Sequence, residues 1–128
     1  MPCRIQERGK KNIYRNEKNN VGRLGEAIAK QFLESLGYQF LEANFACPAG
    51  EIDLIFQHEQ QTVFVEVKTR NRNNDVAPNT ELPEAKLLRL QKAAELYVAR
   101  TGIEDWRFEL VAVTLLDQGK AKVKRIPL

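Results

Sequence analysis

The stretch GEIDLIFQHEQQTVFVEVKTR, residues 50–70, decides the fold, because it holds two runs of alternating apolar residues, each broken by charge where another apolar residue could have stood. Residues Glu51 to Phe56 and Val63 to Lys68 read as strands, and the polar QHEQQT between them reads as a hairpin loop, longer than a tight turn. Antiparallel pairing sets Ile52, Leu54 and Phe56 opposite Val67, Val65 and Val63, which makes one face wholly apolar. The other face then opposes Ile55 to Phe64, Asp53 to Glu66 and Glu51 to Lys68. A slip of one residue would mix the apolar set with the polar one, so the hydrophobic pattern selects this parity.

That pairing creates a conflict. Directly opposed residues stand with Cβ atoms about 4.5–5.5 Å apart, so carboxylates on Asp53 and Glu66 repel each other. Where water is partly excluded, their pKa values separate unless a cation lies between them. Lys68, on the same face, supplies a charge but does not ligate a metal while protonated. A divalent ion with oxygen ligands resolves the conflict, and Mg²⁺ commonly takes one or two carboxylates together with waters and substrate phosphates. Asp53 and Glu66 are therefore the expected ligands of Mg²⁺ or Mn²⁺, and Lys68 the charge-stabilising group. Phosphodiester hydrolysis is the reaction such a set serves. Glu51 is either a further ligand or an ion-pair partner of Lys68. A lone Glu-X-Lys on a strand is usually a solvated pair worth about 0–1 kcal/mol. The aspartate in the neighbouring strand, the shared parity and the apolar filling of both strands argue for a site instead.

Outward from the hairpin, Leu24, Ile28, Phe32 and Leu36 recur every four residues from Val21 onward, and Gly37 follows as a stop, which predicts a helix. Residues 1–20 are polar and basic and are expected to form a flexible arm. Tyr38 to Phe45 reads as a short strand, with Pro48 and Gly50 marking the turn out of it. NRNNDVAPNTELPEA after Arg70 reads as a surface loop, and helical spacing returns at Leu87, Leu90, Ala94, Tyr97 and Val98, with Gly102 just past the end. Trp106 to Leu116 reads as a strand, Asp117 to Gly119 as a turn, and Lys122 to Ile126 as a last strand. Helix, three strands, helix and two strands make an α/β fold: one mixed central sheet flanked by helices, in a single domain spanning residues 21–128.

A length of 128 residues with 43% hydrophobic content suffices for one core. No run of about 18 apolar residues exists and the first residues are charged, so neither a membrane span nor a signal peptide is expected, and the location is expected to be cytoplasmic. Cys3 and Cys47 lack metal-ligand spacing and are expected to be free thiols. His58, the single histidine, falls in the hairpin loop, where solvent exposure is expected; this argues against histidine-based metal sites and catalytic triads. Residues 1–20 hold six basic side chains against two acidic ones, and residues 118–128 hold four against none, around an acidic middle. Basic flanks and an acidic centre suit a protein that touches a polyanion while holding cations.

GEIDLI and VFVEVKTR, with GRLGEAIAKQFLESLGY before them and a helix containing Lys86 and then RFELVAV after them, resemble the YraN-like family over about residues 21–115. That family is similar to the PD-(D/E)XK nuclease superfamily, archaeal Holliday junction resolvases in particular. The resemblance implies a restriction-endonuclease-like core in which Asp53, Glu66 and Lys68 fill three core places. It also implies that Glu26 matches an acid contributed by the first helix. A helical wheel puts Glu26 at the border of the apolar face near Leu33, a position that also fits a solvated residue. The family usually shows Arg-Phe-Asp where this chain has Arg107, Phe108 and Glu109, and often an arginine within the segment here written NFACPAG. The implied function is a Mg²⁺-dependent endonuclease acting on DNA, branched DNA included. A junction-cutting enzyme needs two active sites, which implies a homodimer. Arg70, Arg72 and the two basic ends are the expected phosphate contacts. Lys86 is either another or simply a surface lysine, the latter being the simpler reading. Two alternatives stand beside this one: a catalytically silent nucleic-acid-binding module on the same fold, and an interaction domain whose acids form salt bridges.

Overall fold

Two successive residues with positive φ, Glu59 at 50° and Gln60 at 69°, fold the central hairpin back on itself. A pair of such residues makes a two-residue turn whose twist matches that of the flanking strands. The strands consequently run on through the segment expected to be loop, with Gln57 paired to Thr62 and His58 to Gln61. The expected longer loop is thus replaced by a tight turn, because the polar residues at its ends complete the ladder.

The computed structural model describes residues 13–71 and 81–128, with side chains from residue 20 onward. The order is α1 (Ile13–Ser35), β1 (Gln39–Cys47), β2 (Gly50–His58), β3 (Gln61–Asn71), α2 (Glu84–Thr101), β4 (Trp106–Leu115), a single 3₁₀ turn (Asp117–Gly119) and β5 (Ala121–Pro127). The five strands lie in the order β1-β2-β3-β4-β5. β3 and β4 are parallel, the other pairs antiparallel. The parallel pair requires a crossover, which α2 supplies. This is the expected α/β architecture of a mixed sheet flanked by helices. α1 begins at Ile13, within the segment expected to be an arm; residues 1–12, with Cys3, lie outside the described residues.

The helices cover opposite faces of the sheet, offset from each other. α1 lies on β3 and β4, and α2 on β2 and β1. On the α1 side Ala29, Leu33, Tyr38, Leu54, Phe56, Val63, Val65, Val111 and Val113 form one core; on the α2 side Phe45, Ile52, Ile55, Phe64, Leu90, Ala93, Ala94 and Tyr97 form the other. The buried stripe of α1 is Gly25, Ala29 and Leu33, whereas Leu24 and Leu36, the ends of the four-residue spacing that predicts the helix, are 51% and 47% exposed. Small residues at the contact let the helix axis approach the sheet, and the larger apolar side chains flank it. No helix among the described residues is long and apolar enough to cross a membrane.

His58 departs from its expected exposure. It ends β2 with its side chain 21% exposed, stacks on Tyr38 at 4.0 Å between ring centroids, and shares a hydrogen bond between Nδ1 and Arg107 Nη2 at 2.9 Å.

Candidate active site

Strands β2 and β3 pair from the turn as far as Leu54 with Val65 and then separate. The cause lies in β2 and its other neighbour. Asn44 and Asp53 fall between the paired positions Ala43 with Leu54 and Phe45 with Ile52, and Asn44 has φ of 55°. Left-handed backbone at a non-glycine residue breaks strand alternation. Ile52 accordingly packs in the α2-side core while Leu54 and Phe56 pack in the α1-side core. The expected apolar row of Ile52, Leu54 and Phe56 is therefore cut at Asp53, and so is the expected ladder pairing of Asp53 with Glu66 and of Glu51 with Lys68.

The split gives Asp53 a new partner. Its Oδ2 accepts the backbone N–H of Val67 at 2.8 Å, standing in for a carbonyl of the interrupted ladder. Asp53 is 7% exposed and Glu66 4%. Burial pushes the Asp53 carboxyl well above the usual range; the charges of Glu66, Glu26 and Glu51 push it further, and the Val67 hydrogen bond opposes them. Asp53 thus feels the charges of three other acids, half-buried Glu26 on α1, Glu51 on β2 and Glu66 on β3.

Two lysines meet this centre differently from expectation. Lys86 Nζ bonds Glu66 Oε2 at 2.8 Å, and that hydrogen bond is the main cause raising the lysine's pKa. Lys86 remains 51% exposed, as a surface lysine would be, while its ammonium pairs with the buried Glu66. Lys68 Nζ instead donates to the backbone carbonyl of Glu81, so it has no ladder partner in Glu51.

Two glycines set these distances, each directly preceding an acid of the centre. A Cβ on Gly25 would stand 1.8 Å from Thr69 Oγ1, and one on Gly50 would stand 2.5 Å from the Arg89 carbonyl oxygen. Gly25 thus seats α1 against β3 beside Glu26, and Gly50 seats α2 against β2 beside Glu51. The GRLGE and GEID motifs held this information as glycine-acid pairs, but the contact partners are remote in the chain.

The donor set fits a hard divalent cation. Asp53 and Glu66 offer buried carboxylate oxygens, one bonded to the Val67 N–H and one to Lys86 Nζ, and added positive charge would relieve the forces on Asp53. Among the described residues no three His, Cys, Asp or Glu side chains stand close enough to form a complete cage. Such a site leaves most coordination positions to water and to a substrate phosphate, as Mg²⁺ commonly does.

Beside the acids lies a cleft of about 390 Å³ whose lining among the described residues includes Lys68, Arg70 and Lys86, over Ala112, and no acid. Arg70 Nη1 is buried with no hydrogen-bond partner among the described residues. Arg72, the other expected phosphate contact, lies outside them.

A second polar cluster escaped the sequence reading. Glu109, fully buried, accepts hydrogen bonds from Tyr38 O–H at 2.9 Å, Arg107 Nε at 2.9 Å and Arg125 Nη1 at 3.3 Å. Arg107 Nη1 also donates to Gln61 Oε1 at 2.6 Å. Residues from, or flanking, all five strands meet here, and their bonds are satisfied among themselves, which marks a structural clasp rather than an open site. The alternation of Arg107 and Glu109 on one strand face was the available signal.

Residues 25–113 match the uncharacterised protein family UPF0102. The chain is 42% identical over 100 residues to a UPF0102 protein of Caldanaerobacter subterraneus subsp. tengcongensis, spanning 77% of this chain and 82% of that one. It is 36% identical over 116 residues to a UPF0102 protein of Pelobacter propionicus, spanning 88% of this chain and 83% of the relative. A UPF0102 protein of Vibrio campbellii is 37% identical over 100 residues, 75% of this chain and 82% of its own. Most of the chain and most of each relative are thus aligned, the family match itself running over residues 25–113, and the chain belongs to uncharacterised protein family UPF0102, the YraN-like family its motifs resemble.

Proposed function

We propose that this protein is a metal-dependent endonuclease with the restriction-endonuclease-like core of the PD-(D/E)XK superfamily, hydrolysing phosphodiester bonds in DNA, branched DNA included. The observation that supports the reading is the pair of buried carboxylates Asp53 and Glu66, with the Glu66 charge raising the Asp53 pKa, beside a cleft whose charged lining among the described residues is wholly basic. Asp53 and Glu66 would hold a Mg²⁺ or Mn²⁺ ion, with Glu26 as the accessory acid. When bound, such an ion polarises a phosphoryl oxygen and acidifies a neighbouring water. Lys68 leaves the Glu81 carbonyl to offset the charge that grows on phosphorus. Arg70 and Lys86 draw the phosphodiester into the cleft, Lys86 releasing Glu66 as it does so. The attacking water gives up a proton to solvent as its oxygen adds to phosphorus, the P–O bond to one sugar oxygen breaks, and that oxygen takes up a proton from solvent in turn. Cytoplasmic DNA is the natural substrate pool, and a homodimer would bring two centres to the two strands of a junction.

The test is incubation of the full chain with four-way, linear duplex and single-stranded DNA in Mg²⁺, Mn²⁺ or EDTA. Cleavage that needs the metal and disappears in folded Asp53→Asn and Lys68→Ala is the expected result. Binding without metal-dependent cleavage would establish the silent module instead, and cleavage indifferent to Asp53→Asn would remove the site assignment.

A further inference from the structure

Strand β5 divides its charges between the two faces of the sheet. Val123 pairs with Val113, and both pack on the α1 side. Arg125 pairs with Val111 on that same side and is taken up by Glu109 and Tyr38. Side chains alternate along a strand, so Lys122 and Lys124 project from the opposite face, where both are exposed. That is the face of Glu66 and Lys86, for Glu66 lies between Val65 and Val67, which pack on the α1 side.

The register then aligns them with the cleft. Lys124 is opposite Ala112, which is opposite Lys68; Lys122 is opposite Thr114, which is opposite Arg70. Two rows cross the sheet at right angles to its strands, each starting at a basic residue of the cleft on β3, passing a small side chain on β4 and ending at a lysine on β5. Adjacent strands lie about 4.8 Å apart, so each row spans about 10 Å. One strand of a duplex carries a phosphate about every 3.4 Å of axis, which is about three phosphates per row. α2 lies mainly on β2 and β1 on this face, with Phe108 near the start of β4 packed against its core, and Lys122 and Lys124 on β5 stay exposed. Lysines on an edge strand also deter edge-to-edge pairing, but that role needs only exposure and sets no register with Lys68 and Arg70.

We infer that a nucleic-acid backbone runs from the carboxylate centre along these rows, over Ala112 and Thr114, to phosphate contacts at Lys124 and Lys122. This rests on the reading of the acidic centre as the place where a phosphodiester is held, and it adds the direction in which the strand leaves. The small β4 side chains let the backbone lie close to the sheet. The buried Arg70 Nη1 supplies a donor where the rows meet the cleft.

The experiment measures binding of the full chain to labelled single-stranded DNA, duplex DNA and duplex RNA across a salt series in EDTA, where cleavage plays no part. Lys122→Gln/Lys124→Gln is compared with Arg89→Gln/Lys92→Gln, which removes two charges from exposed positions on α2. The expected result is at least tenfold weaker binding for the β5 pair. Its log–log salt slope should fall by between about 1 and 2, since each phosphate contact contributes about 0.7 to 0.9. The α2 pair should change affinity less than twofold, and the ranking of the three ligands identifies the nucleic acid. Equal effects of the two pairs, or no effect of the β5 pair, would overturn the track. A protein that binds along it but never cleaves in Mg²⁺ would refute the nuclease reading alone.

Discussion

Lys86 Nζ lies 2.8 Å from Glu66 Oε2, so the carboxylate expected to share a metal ion with Asp53 is held by an ammonium from the protein itself. Lys86 is half exposed and Glu66 buried, a geometry in which the lysine can swing out to solvent while the acid cannot. The ammonium and a divalent cation therefore compete for one oxygen. Lys86→Ala should tighten Mn²⁺ binding by about fivefold, corresponding to loss of a competing pair worth about 1 kcal/mol. Calorimetric titration checks it; unchanged or weaker Mn²⁺ binding would mean that Lys86 supports the metal site instead of occupying it.

Asp53 carries the opposite sign of pH dependence from an ordinary salt-bridged aspartate. Its folded-state pKa is raised, so between the unfolded value near 3.9 and the higher folded value the native state binds more protons than the unfolded chain. Stability contributed by this residue is present at acid pH and declines as pH rises through that interval. Asp53→Asn removes the charge while its amide oxygen still accepts the Val67 N–H. The variant should melt higher than the parent at pH 7, by about 4 °C for each kcal/mol gained, and the advantage should vanish near pH 4. Saturating Mn²⁺ should raise the parent's Tm and leave the variant's unmoved, because an ion bound only by the folded form stabilises it. A lower Tm for Asp53→Asn at pH 7 would refute the raised pKa.

The sequence made the acids visible because each interrupts an apolar run, and the Glu66 charge still acts on Asp53 although the ladder and the alternation of β2 are both cut there. The distortion itself was hidden: asparagine is among the non-glycine types that adopt left-handed backbone, but Asn44 sits inside a strand pattern and no glycine marks its φ of 55°. The tight turn at Glu59 and Gln60 was hidden for the same reason, glycine being the usual sign of such backbone. The pairing of Lys86 with Glu66 was not legible, because an exposed position on α2 reveals no partner on β3 until the crossover is built. Gln57, His58, Gln61 and Thr62 looked like loop because their polar groups bond across strands, which hydropathy does not register.

Glu109 is where the family resemblance and the structure inform each other. The Arg-Phe-Glu segment keeps the charge of the usual Arg-Phe-Asp, and that charge lies in a buried clasp on the α1 side, away from the acidic centre. Removing one member of a buried ion pair costs about 3–5 kcal/mol, and here Arg107 and Arg125 are partly exposed and can recover some hydration. Glu109→Ala should therefore cost about 3 kcal/mol, or about 10 °C in Tm. Glu109→Asp, one methylene shorter but still anionic, should lose less than half as much. A drop under about 3 °C for the alanine variant would show that the clasp contributes little.

The seating of α1 makes the sharpest sign test. An alanine replacing glycine inside a helix ordinarily stabilises it by about 1 kcal/mol. At Gly22 a new Cβ meets nothing within 4 Å, and Gly22→Ala should follow that rule. At Gly25 the new Cβ would stand 1.8 Å from Thr69 Oγ1 and 2.7 Å from Thr69 Cβ, so the helix must lift from β3 or the strand must yield. Overpacking of this kind costs about 1–3 kcal/mol, enough to reverse the sign of the propensity gain. Gly25→Ala should thus lower Tm where Gly22→Ala raises it. Thr69→Gly empties the position that the new methyl needs, whereas Thr69→Ala leaves the Cβ in the way. Adding Gly25→Ala to Thr69→Gly should therefore be neutral or stabilising, a coupling of about 1–2 kcal/mol between contacting residues. Glu26 rides on the same turn of α1, so the single variant should also weaken Mn²⁺ binding and the Thr69→Gly double variant should restore it; equal Tm gains at Gly22 and Gly25 would mean that α1 does not rest on Thr69.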